Sequence, residues 1–273
     1  MAQQSVPLGT WDEDPDGASI LLATGRARHD LLVIAEPAFL RDLDQAWGRP
    51  SARVRLSFLP GVEAPSAPGH EDALMSYERG GLGVLVARGR TSVYEGEAAR
   101  SATALARIAS GARLRAALLV TRATPLRGSG DVAGGPAPGQ VRVVADHLNV
   151  SGGSLFPAAG MVSAGWDARL TERLENLRGV SGSSVVALVP GPLRPSPAES
   201  RALVSLGADA AVTDSVAEAM ILAARGVAVS ALTYLDAPAA GGNLGRAQLS
   251  LRQASGVTLA AVEEILRSLR AGS

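Results

Sequence analysis

Short apolar runs alternate along the chain with segments in which apolar residues recur at helical spacing. The clearest stretch reads helix, strand, helix, strand, at residues 198–206, 208–213, 215–225 and 227–235. Gly207 and Gly226 stand where the two helices should end. Such alternation is typical of a largely parallel sheet covered by helices, where ligands bind at the carboxyl ends of the strands. We therefore expect ligand contacts near Asp214 and Asp236, which follow the two apolar runs.

The same pattern over the whole chain predicts an α/β fold. Seven strands are predicted, at residues 31–35, 82–87, 114–121, 141–145, 185–189, 208–212 and 227–235. Further helices are predicted at 40–47, 98–110, 167–177 and 258–269, and residues 18–24 suit either a short helix or a strand. The pattern indicates one three-layer α/β/α domain with a central mixed, mostly parallel sheet over residues 18–273, after a flexible N-terminal arm at 1–17. Residues 91–94 are predicted to form a hairpin with strand 82–87.

Composition narrows the function classes. Hydrophobic residues make up 47% of the chain but aromatic residues only 3%, so Leu, Val and Ala must form the core. The formal net charge is zero, which argues against a nucleic-acid partner. There is no cysteine, and the three histidines lack metal-ligand spacing, so neither a thiolate nor a metal site is expected. No apolar run approaches the roughly 20 residues of a membrane span, and we expect a cytoplasmic protein without membrane contact.

Three sequence motifs resemble those of the trimeric purine nucleoside phosphorylases in order and spacing. They are GRTSVYEG at residues 89–96, DHLNVSG at 146–152 and AESRALVSLGADAAVTDSVAEAMILAARGVAV at 198–229. The resemblance covers roughly residues 28–269. It implies a nucleoside phosphorylase-like fold, a homotrimer, and a pentosyltransferase of purine salvage that uses phosphate to cleave purine nucleosides into free base and pentose 1-phosphate. Phosphate is then a co-substrate, and no cofactor is expected.

The resemblance also implies positions for the substrate contacts. The transition state of that reaction is similar to an oxocarbenium ion, so the protein must hold phosphate beneath the sugar and hydrogen-bond the departing purine. The positions that match the phosphate motifs are Arg90, Ser92, Arg122, Ala123 and Asp214, and those that match sugar or base contacts are Tyr94 and Asp236.

Several positions depart from the family pattern. Glu36 and Pro37 replace a glycine-rich phosphate-binding turn, Ser92 stands where the family has His, and Asp214 where it has Ser. Residues 191–196 lack the aromatic residue and the Glu of the family's purine-binding motif. An unpaired carboxylate within about 4 Å of a phosphate oxygen costs on the order of 4 kcal/mol at an effective dielectric constant of 20. We therefore expect weak phosphate binding, and undetectable or very slow phosphorolysis of inosine and guanosine.

Most of the candidate residues also have a purely structural interpretation. Arg90 would form a surface or interface salt bridge, Asp214 would cap the helix that follows it, and Tyr94 would pack with a hydrated hydroxyl. His147 is interpreted as a buried, hydrogen-bonded structural residue, and Asp146 as a turn or cap acid.

Three functions remain open at this point. The first is a divergent enzyme that holds its substrate with Arg90 and Arg122. The second is a non-catalytic homologue, a pseudoenzyme, that serves as a binding module, and the third is a partner subunit of an active paralogue. For the assembly, the apolar segment with Leu155, Phe156 and Pro157 is expected to lie at a subunit contact.

Overall fold

Strands and helices alternate through the part of the chain that the computed structural model describes, residues 14–92, 99–126, 136–152, 164–191, 194–236 and 244–272. The strands are β1 (Leu31–Ile34), β2 (Ala52–Val54), β3 (Leu74–Arg79), β4 (Leu82–Ala87), β5 (Ala116–Pro125), β6 (Val141–Asn149), β7 (Val180–Leu188), β8 (Ala210–Val212) and β9 (Ala228–Leu235). The helices are α1 (Ala18–Thr24), α2 (Pro37–Trp47), α3 (Ala99–Ala102), α4 (Ala104–Gly111), α5 (Ala168–Glu175), α6 (Pro197–Ser205), α7 (Val216–Ala224) and α8 (Leu244–Ala271).

All nine strands belong to one mixed sheet, in the order β2-β3-β4-β1-β5-β8-β7-β6-β9. Strand β9 also pairs with β5, so β5, β8, β7, β6 and β9 form a closed ring. Strand β1 is parallel to β4 and β5, and β5 is parallel to β9. The carboxyl ends of these four strands therefore meet at one edge of the sheet, where ligands of α/β proteins bind.

Helices cover both faces of the sheet. Alternate residues of β1 point to opposite faces, as strand geometry requires. Leu32 and Ile34 pack in a core that α1, α4 and α7 cover, whereas Leu31 and Val33 pack in a second core beneath α2, α5 and α8. This arrangement confirms the predicted three-layer fold.

The structure contains all seven predicted strands, with extensions. Strand β5 continues to Pro125 and β6 to Asn149, so the DHLN motif lies within a strand. The interpretation of Asp146 as a turn or cap acid is therefore wrong, because Asp146 lies within β6, where its side chain is 76% exposed. Residues 18–24 form a helix, and α8 begins at Leu244, well before the predicted start at residue 258.

The predicted hairpin between residues 82–87 and 91–94 is wrong. The antiparallel partner of β4 is β3, joined to it through Gly80 and Gly81. Both glycines have positive φ, at 58° and 81°, as a tight hairpin turn requires. Thr91 and Ser92 are buried outside any strand, and residues 93 and 94 lie outside the described residues. None of the helices in the described ranges combines the length and the hydrophobicity that a membrane span needs.

Candidate functional site

Arg90 lies in the centre of a charged cluster at the carboxyl end of β4, and its side chain is only 4% exposed. Its Nη1 donates to Oδ1 of Asp214 at 2.9 Å and to Oε2 of Glu218 at 3.3 Å. Its Nη2 donates to the carbonyls of Ile34 and Val120 at 3.0 and 2.8 Å. Burial lowers the pKa of Arg90, but the Asp214 and Glu218 carboxylates outweigh this effect and raise it above its ordinary value. Arg90 is therefore a permanent cation that the protein itself neutralises.

Asp214 and Glu218 share one guanidinium nitrogen. Asp214 also accepts a hydrogen bond from the hydroxyl of Thr121 on β5. The side chain of Asp214 is 17% exposed, and that of Glu218, in the first turn of α7, is 6% exposed. Burial raises the pKa of Glu218 to about 7, although the charge of Arg90 opposes the shift. Glu218 therefore occurs in both protonation states near neutral pH.

Arg122, on β5, forms a second group of ion pairs beside the first. Its Nε lies 2.9 Å from both carboxylate oxygens of Glu36, and its Nη1 lies 3.2 and 3.3 Å from those of Asp236. The guanidinium carbon lies 5.3 Å from the ring centroid of Phe39 and 6.0 Å from that of Tyr234. Burial lowers the pKa of Arg122, but Glu36 and then Asp236 outweigh it, so the pKa is raised.

His70 connects the two groups. Its Nε2 lies 3.8 Å from Oε1 of Glu36, and its Nδ1 lies 3.1 Å from the carbonyl oxygen of Arg90. Burial lowers the pKa of His70, but the contact with Glu36 outweighs it, and the pKa is raised. Burial likewise raises the pKa of Glu36, but the contacts with His70 and Arg122 hold it below its usual range.

The cluster as a whole is acidic. Its arginines are Arg90 and Arg122, and its carboxylates are those of Glu36, Asp214, Glu218 and Asp236. With Glu218 ionised and His70 neutral, two guanidinium groups face four carboxylates, which leaves two negative charges in excess, and protonation of Glu218 reduces the excess to one. The positions that match the phosphate motifs offer Arg90 and Arg122 against Glu36 and Asp214, and Glu218 and Asp236 make the cluster more acidic than that balance. A phosphate site needs the opposite balance.

The structure brings most of the predicted site residues together. Ser92 is 2% exposed and donates to the carbonyl of Thr213 at 2.9 Å, so it borders Asp214. Ala123 is buried next to Arg122, and its carbonyl accepts from the backbone nitrogen of Asp236 at 2.8 Å. Tyr94 lies outside the described residues. The proposed ligand contacts of all these residues stay predictions.

Two structural interpretations are wrong. Asp214 does not cap α7: the N-cap residue is Ser215, with φ of 67°, and its side chain makes no capping hydrogen bond. Arg90 does not form a surface salt bridge, since the ion pair is buried. Asp214 is not available as a cap because its carboxylate accepts hydrogen bonds from Arg90 and Thr121.

His147 agrees with its interpretation as a structural residue. Its side chain is 16% exposed, and its Nδ1 accepts from Nε1 of Trp166 at 3.1 Å. Burial lowers the pKa of His147, with a smaller opposing effect of Asp146, which favours the neutral ring.

An open cleft of about 170 Å³ borders the cluster. Its lining includes Arg122, Thr124, Thr213 and Asp236, so the second group of ion pairs faces this cleft. Within the described ranges, no group of three His, Asp or Glu side chains is arranged to hold a metal ion.

No sequence motif points to His70, Glu218 or Thr121. His70 lies in a Pro- and Gly-rich loop, which has no periodicity from which its position could be derived. Glu218 gave a usable signal, because it is the only charged residue of the apolar helix Val216–Ala224. A lone acid in such a helix is almost never fully buried without a partner.

The fold and the charged cluster at the strand ends define an α/β protein of the nucleoside phosphorylase fold. The Schistosoma mansoni purine nucleoside phosphorylase in complex with inosine matches it with a TM-score of 0.73 at 18% identity, over 97% of this chain and 98% of that chain. Isoform 2 from the same organism, in complex with cytosine and ribose-1-phosphate, matches with a TM-score of 0.72 at 19% identity, over 92% and 94% of the two chains.

Sequence relatives define the family more narrowly. The purine nucleoside phosphorylase of Mycobacterium tuberculosis is 31% identical over 240 residues, which cover 86% of this chain and 87% of the relative. That of Mycobacterium leprae is 32% identical over 222 residues, 80% of each chain. No family model matches the chain. The chain belongs to the purine nucleoside phosphorylase family.

Proposed function

We propose that this member of the family does not catalyse efficient phosphorolysis, and that it binds a neutral purine nucleoside or base in the cleft beside Arg122 and Asp236. The observation that carries the proposal is that both arginines of the implied phosphate site are held by carboxylates of the same chain. Arg90 contacts Asp214 and Glu218, and Arg122 contacts Glu36 and Asp236.

Phosphate would have to displace these carboxylates. Phosphorolysis needs a phosphate anion held by free donors beneath the sugar, close to the developing positive charge. The Nη1 and Nη2 contacts of Arg90 all go to protein oxygens, and the hydroxyl of Ser92 donates to a backbone carbonyl. A cluster with excess negative charge also repels an incoming anion.

A neutral ligand avoids this repulsion. The cleft offers the carboxylate of Asp236 and the guanidinium of Arg122, which are 30% and 35% exposed, beside Arg194 and the apolar side chain of Val189. A purine nucleoside carries hydrogen-bonding edges and no charge, which suits such a lining. The similarity to phosphorylases over most of the chain supports this ligand class.

A coupled assay with inosine and guanosine in millimolar phosphate tests the catalytic part. We expect turnover to be undetectable or far below about one per second, the lower end of typical enzyme turnover. The Mycobacterium tuberculosis relative, assayed in parallel, is the positive control. Turnover near one per second or faster by this protein would show that it is a phosphorylase.

Calorimetry in phosphate-free buffer tests the binding part. We expect heat of binding with inosine or guanosine and little or none with phosphate at pH 7.5. Asp236→Ala should weaken nucleoside binding, whereas Asp146→Ala, which removes an exposed carboxylate of β6, should not. Absence of nucleoside binding to the wild-type protein would refute the binding part alone.

A further inference from the structure

The two buried carboxylates that contact Arg90 indicate how the site responds to pH. Asp214 and Glu218 both contact Nη1 of Arg90, at 2.9 and 3.3 Å. Two like charges that share one buried cation are costly to keep ionised together, so one of the two carboxylates takes up a proton first. Asp214 has a second donor, Thr121, and more exposure to water. Glu218 has the longer contact and is more deeply buried, and is therefore the proton acceptor.

We propose that anion binding at the Arg90 cluster is coupled to uptake of one proton by Glu218, so that the site accepts an oxyanion in acidic solution and excludes it in alkaline solution. The inference rests on the proposed function, in which this cluster is the place where the chain's own carboxylates compete with phosphate. Protonation of Glu218 is the condition under which that competition becomes weaker.

Charged groups from several elements face Glu218. Arg90 approaches from the segment after β4, Asp214 from the connection between β8 and α7, and His70 from the loop before β3. Glu36, at the start of α2, acts on Arg90 from the far side of His70. Burial lowers the pKa of His70, but the contact with Glu36 raises it above its ordinary value, and protonation of His70 acts in the same direction as that of Glu218.

A proton on Glu218 changes both the charge and the donors of the site. It removes one of the two excess negative charges, and protonation of His70 removes the other. The Nη1 hydrogen that pointed to Glu218 then faces a neutral carboxyl group, which is a weaker acceptor than a carboxylate, so an incoming oxyanion competes for it more readily. Asp214, which contacts the same nitrogen, is 17% exposed, so the ion pair is in contact with solvent.

Sulfate is the appropriate probe because, unlike phosphate, it stays a dianion from pH 5.5 to pH 8.5. With one linked proton, sulfate affinity should fall about tenfold per pH unit above pH 7 and level off below it. Glu218→Gln should bind sulfate at pH 8 more tightly than the wild-type protein does, and its affinity should change less with pH, because only the protonation of His70 remains. The matched control Glu172→Gln, at an exposed position of α5, should behave like the wild-type protein.

A measurement on the wild-type protein keeps the test valid if Glu218→Gln fails to fold. Calorimetry at pH 8 in two buffers of different ionisation enthalpy gives the number of protons taken up with each sulfate, and we expect about one. Equal sulfate affinity at pH 6 and pH 8, no binding at pH 6, or no proton uptake would each overturn the inference. A pH dependence of sulfate affinity that is as steep in Glu218→Gln as in the wild-type protein would also overturn it, by assigning the proton to another group.

The two proposals fail separately. Turnover in the phosphorolysis assay would refute the proposed function without changing the sulfate result. A sulfate affinity that does not depend on pH would refute the proton coupling without restoring activity.

Discussion

Glu36 and Asp214 occupy positions where the family resemblance implies phosphate contacts. Each of these carboxylates forms an ion pair with an arginine. We predict that replacing Glu36 by Gly and Asp214 by Ser improves phosphate binding, because both guanidinium groups lose a competing carboxylate. The carboxylates are paired, so the gain is smaller than for isolated charges, about tenfold in Kd, or 1.4 kcal/mol. Turnover should not be restored, since residues 191–196 still lack the purine-binding motif.

Calorimetry with phosphate at pH 7.5 measures this effect. The control is Glu172→Gly with Asp146→Ser, which removes two exposed carboxylates away from the cluster. An unchanged phosphate Kd in the double variant at the site would show that Glu36 and Asp214 do not compete with phosphate.

His29 is a second residue whose charge state matters. It is fully buried, its Nε2 lies within hydrogen-bond distance of Oγ1 of Thr24, at 3.0 Å, and its Nδ1 has no hydrogen-bond partner in the described part of the chain. Burial, and then the charge of Arg26, lowers the pKa of His29 to about 4. In the unfolded chain the ring takes up a proton near pH 6.5, but in the folded chain only near pH 4. Stability is therefore lost as pH falls from 6.5 towards 4.

Urea unfolding of the wild-type protein and of His29→Asn at pH 7 and pH 5 tests this prediction. The wild-type protein should lose about 2 kcal/mol more than the variant between the two pH values, since 1.5 pKa units separate pH 6.5 from pH 5. The variant will be less stable at pH 7, because the site is packed. Parallel pH dependence of the two proteins would contradict the assignment.

At the scale of elements, α1 is attached to α4 through two glycines. A Cβ on Gly111 would lie 2.5 Å from the nitrogen of Gly17 and would also meet the carbonyl oxygen of Pro15. Gly111→Ala should therefore displace α1 and cost about 1–3 kcal/mol. Hydrogen exchange in residues 18–24 should increase.

Gly48→Ala is the control. At this position φ is 65° and nothing lies within 4 Å of the new Cβ, so the substitution should add backbone strain without exposing α1. Unchanged exchange in Gly111→Ala would refute the role of this contact.

Sequence patterns predict elements well where burial is continuous. Strand β1, buried along its whole length, lies where the apolar run predicts it. Strand β3 was missed because it directly follows the Pro- and Gly-rich loop at residues 59–72, and its last two residues are polar. The early start of α8 was missed because its N-terminal half has many polar residues. A local hydrophobic pattern does not show which segment, elsewhere in the chain, packs against a stretch that contains many polar residues.

At the scale of the whole molecule, the site depends on pairings between distant parts of the chain. Arg90 and Asp214 are separated by 124 residues, and Arg122 and Asp236 by 114. The pairing of β5 with β9 brings Ala123 beside Leu235, next to Asp236. The sequence indicates which residue types stand at strand ends, but not that each arginine meets two carboxylates. That result comes from the sheet topology.

The oligomeric state is also a property of the whole molecule. The family resemblance implies a homotrimer, and we propose that the apolar segment with Phe156, which lies outside the described residues, forms the subunit contact. Val150, at the near end of that segment, is 38% exposed and borders an open cleft beside α6 that a second subunit could fill. Burial of such apolar surface favours association.

Light scattering on the purified protein should therefore give three times the chain mass of 27.8 kDa. Phe156→Asp should dissociate the trimer, because an unpaired charge in a buried contact is strongly unfavourable. Phe58→Asp is the matched control, since this ring is 72% exposed near β2 and its replacement should leave the mass unchanged. A wild-type mass near 27.8 kDa at micromolar concentration would refute the trimer. Dissociation by Phe58→Asp instead would indicate that the subunit contact lies at the edge of the sheet near β2.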